Sequence, residues 1–245
     1  MVGLALLAFL LWIALAVSLG SLAASQAMAV DLLDMAHSTS AYVGGRSDGA
    51  AHRSGAGGVT FTVQSTGGTG TLRGVAWASN FFVAVGDGGR VVRSSDGGLG
   101  WSNETSRTTV NLRDVTPLTP FLVAVGAAGT TLRRSGTATT WDSTASPGGA
   151  ALHAVASNGS ILIAVGDGGT VLRSTDQGLS WTRQLLSGAP ALRGVATRPS
   201  ANVFVAVGLG GRILRSTDNG LSWEGLASPT SHDLLDVTAD AVRYI

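Results

Sequence analysis

Arg73, Arg113, His153 and Arg193 stand 40 residues apart, each the second residue of a phrase LRGVAW, LRDVTP, LHAVAS or LRGVAT. Three guanidiniums and an imidazole at one phase could grip an anion, because a guanidinium offers a planar fork that meets a carboxylate with two bonds. Asp87 and Asp167 share a second phase, inside the phrase Gly-Asp-Gly-Gly. The chemistry of this set is recognition of an acidic or C-terminal carboxylate peptide. The competing use of the same arginines is to bridge one unit of structure to an aspartate or carbonyl of its neighbour. A second series, Arg93, Arg133, Arg173 and Arg215 with Arg53 as a worn first member, lies beside a turn motif and reads as struts.

Bond-making chemistry finds little to work with. A sialidase needs an arginine triad, a tyrosine nucleophile with a partner acid, and a separate aspartic acid. Tyr42 and Tyr244 lie at the margins of the chain, and Glu104 and Glu224 are its only glutamates. There is no G-x-S-x-G elbow, no H-E-x-x-H and no phosphate loop, since Gly86-Asp-Gly-Gly89 leads into a strand pattern and not a helix. His37, His52, His153 and His232 share no metal-ligand spacing, and the absence of Cys removes thiolates and disulfides together. No cofactor and no metal are expected. The 16 basic residues, all Arg, nearly balance 15 acids, so a net charge of +1 supplies no field for nucleic acid.

The elements that carry these residues come from a repeat. Trp101, Trp141, Trp181 and Trp223 recur at intervals of 40, 40 and 42 residues. A period in that range sets the architecture. Copies of one phrase end at these tryptophans: FFVAVGDGGRVVRSSDGGLGW (81–101), FLVAVGAAGTTLRRSGTATTW (121–141), ILIAVGDGGTVLRSTDQGLSW (161–181) and FVAVGLGGRILRSTDNGLSW (204–223). Leu32–Ala36 and Arg53–Phe61 extend the series backwards, and Asp233–Thr238 begins another copy. The repeats are therefore 32–71, 72–111, 112–151, 152–191 and 192–233, with a partial one over 234–245. Each reads as four short strands rich in β-branched and aromatic residues, joined by glycine-containing turns. Four strands in about 40 residues, repeated, describe the blades of an all-β propeller. Shorter coils without two hairpins per repeat would describe a parallel β-helix. Five repeats and the start of a sixth read either as part of a six- or seven-bladed ring or as five blades with a spare strand. In a propeller the four residues at the first phase approach the central opening on one face, with Asp87 and Asp167.

The turn before each tryptophan has its own pattern, S-x-D-x-G-x-[ST]-W. Ser174, Asp176, Gly178 and Trp181 fit it, as do Ser216, Asp218, Gly220 and Trp223; Ser94, Asp96, Gly98 and Trp101 fit it apart from Gly100. A short Asp side chain accepts N–H groups of its own turn, so the expected role is structural. The copies at Ser54–Phe61 and Arg134–Trp141 carry Ala56 and Gly136 instead of Asp, and weaker corners are expected there. The motif resembles the Asp-box, or BNR repeat, of sialidase-like propellers. The whole phrase LxxVA…FVAVGxGGxVLRSxDxGxSW resembles the photosystem II assembly and stability factor family and its bacterial relatives. That resemblance implies a seven-bladed propeller on the lumenal or periplasmic side, which binds a newly made membrane reaction-centre subunit through an Arg-rich face and catalyses nothing. It implies a protein or peptide partner, such as a membrane-protein segment or a carboxylate terminus, for Arg73, Arg113, His153, Arg193, Asp87 and Asp167. The alternative is a glycan-binding or glycoside-hydrolysing propeller.

Residues 2–17 are apolar and uncharged, and Ala27-Met28-Ala29 matches a signal-peptidase site. Residues 1–30 thus read as a signal peptide or membrane anchor, with an N-terminal hydrophobic helix. The protein is expected to be exported, to periplasm, thylakoid lumen or outside the cell. Left uncleaved, residues 2–24 would hold it on a membrane. Asn103-Glu-Thr105 and Asn158-Gly-Ser160 are sequons that matter in a glycosylating host.

Overall fold

A computed structural model describes residues 32–144, 146–186, 188–198, 201–239 and 244. The expected N-terminal helix and cleavage site lie outside the described residues. Among those described, no helix is long and apolar enough to cross a membrane.

The chain divides into two units, Met1–Thr109 and Val110–Ile245. The first holds two four-stranded antiparallel sheets. Blade one is β1 (Leu32–His37), β2 (Ala41–Arg46), β3 (Ala51–Gly55) and β4 (Phe61–Gln64); blade two is β5 (Leu72–Ala78), β6 (Phe81–Gly86), β7 (Val91–Ser94) and β8 (Ser102–Asn103). The second unit holds three more. Blade three is β9 (Leu112–Leu118), β10 (Phe121–Gly126), β11 (Thr131–Ser135) and β12 (Asp142–Ser143). Blade four is β13 (Leu152–Ser157), β14 (Leu162–Gly166), β15 (Thr170–Ser174) and β16 (Thr182–Leu185), and blade five is β17 (Leu192–Thr197), β18 (Phe204–Gly208), β19 (Ile213–Ser216) and β20 (Glu224–Leu226). Every sheet is a meander in chain order, as the four-strand reading of the repeats expects.

The second strand of a blade is buried along its whole length in β6, β14 and β18. Both of its faces are covered, so FVAVG reads as a continuous apolar run and not as an alternation. The apolar clusters run between successive blades. In the first unit Val43 of blade one packs with Phe82, Ala84 and Val92 of blade two. In the second, Val123 and Val125 of blade three meet Leu162 and Leu172 of blade four, and Ile163 of blade four meets Phe204 and Leu214 of blade five. The outermost strands are short, two residues in β8 and β12, which limits the open edge each blade presents. Trp101, Trp141, Trp181 and Trp223 each stand immediately before that strand, in equivalent places.

In blades two to five the turn between second and third strands is one turn of 3-10 helix, Asp87–Gly89, Ala127–Gly129, Asp167–Gly169 and Leu209–Gly211. Its two final residues are left-handed, at φ 61 and 67° for Gly168 and Gly169. Glycine adopts these angles without penalty, whereas Ala128, at φ 52°, pays for a Cβ there.

Candidate functional site

The four residues of the first phase owe their direction to a bulge. In β5 and β6, Leu72 pairs with Gly86 and Gly74 with Val85, so Arg73 has no partner across the ladder. The same slip isolates Arg113 between Leu112 and Asp114, His153 between Leu152 and Ala154, and Arg193 between Leu192 and Gly194. A bulge inserts one unpaired residue and re-aims its side chain. Without it, residues 73 and 75 would point to the same face of the strand, and a charge would follow valine into the core. Leu33 holds this position in blade one, and it is exposed.

In the first unit, Arg73 closes on the turn of its own blade. Its Nε donates to Asp87 Oδ1 at 2.6 Å and its NH2 to Oδ2 at 2.9 Å, a bidentate pair at the surface. The Asp87 hydrogen bond raises the Arg73 pKa, against the opposing effect of partial burial. In blade one, Arg46 makes a similar fork to Asp48, at 2.9 and 2.7 Å, which lowers the Asp48 carboxyl to about 2.

The second unit brings four of the expected residues into one cluster. His153 lies between Arg113 of the preceding blade and Arg193 of the following one. Arg113 NH1 stands 2.5 Å from His153 Nδ1, and Arg193 NH1 reaches both ring nitrogens, Nδ1 at 3.0 Å. His153 Nε2 is 2.7 Å from Asp167 Oδ1, and Arg193 NH1 is 3.6 Å from the same oxygen. A neutral ring protonated on Nε2 lets Nε2–H donate to Asp167 and Nδ1 accept from a guanidinium, while the approach of Arg193 NH1 to that same Nε2 finds no acceptor there. Burial, opposed by the Asp167 hydrogen bond and reinforced by both arginine charges, pushes the His153 pKa below its ordinary value. The His153 hydrogen bond, outweighing partial burial, holds Asp167 low. The turn residues of blades three and five, Ala127–Gly129 and Leu209–Gly211, include no acid, although Asp233 Oδ1 accepts the Gly210 N–H at 2.8 Å; Arg193 reaches Asp167 in the turn of blade four, and Arg113 reaches His153 of that blade. The Asp167 side chain is 49% exposed.

The tryptophan turns are held as their composition requires. In blade two, Ser94 Oγ donates to Asp96 Oδ1 at 2.8 Å and accepts the Gly98 N–H at 2.8 Å, while Leu99 and Gly100 N–H groups reach Asp96 Oδ1 at 3.1 and 2.9 Å. Ser174 and Asp176 hold Gly178 and Ser180 in the same manner, and Ser216 and Asp218 hold Gly220 and Ser222. In blades four and five a second hydroxyl joins, Ser180 Oγ at 2.5 Å and Ser222 Oγ at 2.6 Å from Oδ2 of the Asp. Donors on every side keep the Asp218 carboxyl far below the usual range, the Ser222 hydroxyl foremost. Among the described residues no three His, Asp or Glu side chains gather as a metal site.

The strut series behaves alike in both units. Arg53 Nε donates to Gly97 O at 2.7 Å, Arg133 Nε to Gln177 O at 2.9 Å, and Arg173 Nε to Asn219 O at 2.7 Å. Each reaches from the third strand of one blade to the tryptophan turn of the next. Arg93 stacks over Phe81, and Arg215 lies 3.7 Å from Glu224.

Blade three differs from what its missing Asp suggests. Arg134 takes the place of the serine and is 1% exposed. Its NH1 donates to Ala138 O at 2.8 Å and its NH2 to Gly136 O at 3.3 Å, with the guanidinium 5.7 Å from the Trp141 ring centre. The corners of blades two, four and five are held by oxygens accepting N–H groups; this one is held by a cation donating to carbonyls. The adjacent Arg133-Arg134 pair is the only sign of it in the sequence, and the repeat alignment assigns both to the strand. Asn158, read as a sequon, is engaged: Nδ2 donates to Ala201 O at 2.6 Å and Asn219 Oδ1 at 3.0 Å.

No family model matches the chain, and no curated protein matches it. Solved structures do. A structure of YCF48 bound to D1 peptide aligns with a TM-score of 0.61 at 18% identity, over 79% of this chain and 66% of that one. The RRP9 WD40 repeats align with a TM-score of 0.69 at 12% identity, over 84% of this chain and 69% of theirs, and a structure of U3-55K gives the same values. The chain spans just under two thirds of the length of the YCF48 chain. At these identities the likeness concerns the fold alone, and the fold class is the β-propeller.

Proposed function

We propose that this chain is a non-enzymatic propeller scaffold that captures a protein or peptide partner presenting a carboxylate. The observation that carries this reading is the Arg113–His153–Arg193 cluster, where guanidiniums from two flanking blades converge on one imidazole beside the exposed Asp167. A planar anion between them would accept charge-assisted bonds from both sides. The peptide in the YCF48 structure supports the same use of a related fold. We extend the reading to export, through residues 1–30, and to assembly of a membrane complex of the photosystem II type.

Replacing Arg73, Arg113 and Arg193 together by Gln should abolish retention of carboxylate-ended peptides while circular dichroism stays that of a β-protein. Undiminished retention by the triple variant would remove the reading. One open surface pocket favours a second reading, a glycan-binding propeller: it is about 340 Å³, and beside Ala138 and Leu179 it presents Arg133, Asp142 and hydroxyls such as Ser143 and Thr144, groups suited to a sugar. Turnover of aryl glycosides, or binding of free sugars, by the purified chain would favour it.

A further inference from the structure

The imidazole at the fourth repeat stands where its sister repeats carry Arg, and it is the one member of the set whose charge can change near neutral pH. Its surroundings make that change matter. From β9, Arg113 points at the ring, and the neighbouring Asp114 carboxylate accepts the Val115 and Val155 N–H groups at 2.7 Å each. From β17 comes Arg193, and from the turn of its own blade Asp167. The remaining elements packed on β13, namely β10, β14 and the Ala127–Gly129 turn, carry no titratable side chain. The neutral ring offers a single lone pair to two guanidiniums. Once protonated it offers none, and a third positive charge stands between the other two.

We propose that His153 is a proton gate on the carboxylate clamp formed by Arg113 and Arg193. This rests on the peptide-binding reading above and gives that site a regulation. With the ring neutral, Nδ1 occupies guanidinium donors and competes with an incoming carboxylate. With the ring protonated, Nδ1 turns donor, and an anion seated between Arg113 and Arg193 gains a third partner. Asp167 keeps the ring in place in both states, because Nε2–H donates to it throughout. An anion in the clamp therefore stabilises the protonated ring, and by linkage a proton on the ring strengthens anion binding by the same factor. A single linked proton limits the gain to about tenfold per pH unit.

The test uses the full chain, immobilised, and a fluorescent degenerate decapeptide pool in two forms, with free C-terminal carboxylates and with C-terminal amides. Retention is measured at pH 5.5, 6.5, 7.5 and 8.5. Preference for the carboxylate form should rise about three- to tenfold from pH 7.5 to 5.5 in the wild type. His153→Arg, which installs the sister repeats' residue, should raise retention at pH 7.5 and flatten the profile. His153→Gln, neutral at every pH, should flatten it at the low level. His37, His52 and His232 remain in both variants, so a profile that persists in them assigns the pH dependence elsewhere and overturns the proposal. A carboxylate preference that is strong but independent of pH in the wild type also overturns it, while the peptide-binding reading stands. Equal retention of the two pools at every pH removes both.

Discussion

Asp114 and Val155 join the innermost strands of two successive blades: Asp114 Oδ2 accepts the Val155 N–H at 2.7 Å, while Oδ1 accepts the N–H of Val115 at 2.7 Å. The first unit repeats both bonds: Asp34 Oδ2 accepts the Val75 N–H and Oδ1 the Met35 N–H, each at 2.7 Å. Both oxygens are acceptors, so an amide cannot take over, because its NH2 would face an N–H. Asp114→Asn should therefore cost nearly as much as Asp114→Ala, about 2–3 kcal/mol by denaturant unfolding. An Asn variant as stable as the wild type would show that the second oxygen is idle.

Gly178 is required by angle and by space. Its φ is +82°, and a Cβ there would stand 2.9 Å from Val123 Cγ2 of the preceding blade. Gly178→Ala should destabilise the protein by about 2–4 kcal/mol, combining left-handed strain with the overpacked contact. Gly168, also left-handed but with open space around it, isolates the first effect. Gly168→Ala should cost only about 1–2 kcal/mol. Thermal unfolding of the pair decides whether the contact or the angle dominates.

Arg134 is a buried cation whose donors close the corner of blade three. Arg134→Ala removes those bonds and its packing on Trp141, and should cost about 2–4 kcal/mol. The exposed Arg215 of the strut series, changed to Ala, should alter stability by less than about 1 kcal/mol. Similar losses for the two variants would mean that Arg134 does not hold its corner.

Acid should attack the other tryptophan turns. The Asp96, Asp176 and Asp218 carboxyls lie below their ordinary value of 3.8 in the folded protein: the Gly100 N–H does most for Asp96, the Ser222 hydroxyl for Asp218, and serine donors outweigh burial at Asp176. A depressed folded value means stabilisation that is complete above about pH 3.8 and lost as pH falls below it. The unfolding temperature should drop between pH 5 and pH 3 in the wild type. A triple Asp→Asn variant should start lower and drop less. Parallel curves would locate acid sensitivity outside these turns.

The fold was legible because the repeat is nearly literal. FVAVG, the Gly-rich turn and the tryptophan recur at fixed distance, and each has one physical use in a four-stranded blade. The pairing within the cluster was only half legible. The turn phrases DGG, AAG, DGG and LGG already say which blades lack an acid, but spacing alone does not show that Arg113 and Arg193 converge on His153. That depends on the bulge, a slip of one residue between Leu152 and Ala154 that no residue type announces. Arg134 was hidden for another reason. A motif search sees the lost Asp, whereas a long side chain can reach from the strand to fill the gap.

A corner latched by a guanidinium has nothing for a proton to neutralise. In the second unit, blades four and five are fastened by carboxylates and blade three by a cation, so vinegar-like conditions slacken two neighbours and spare the third. The unit should come apart unevenly, and blade three should be the last to let go of its tryptophan.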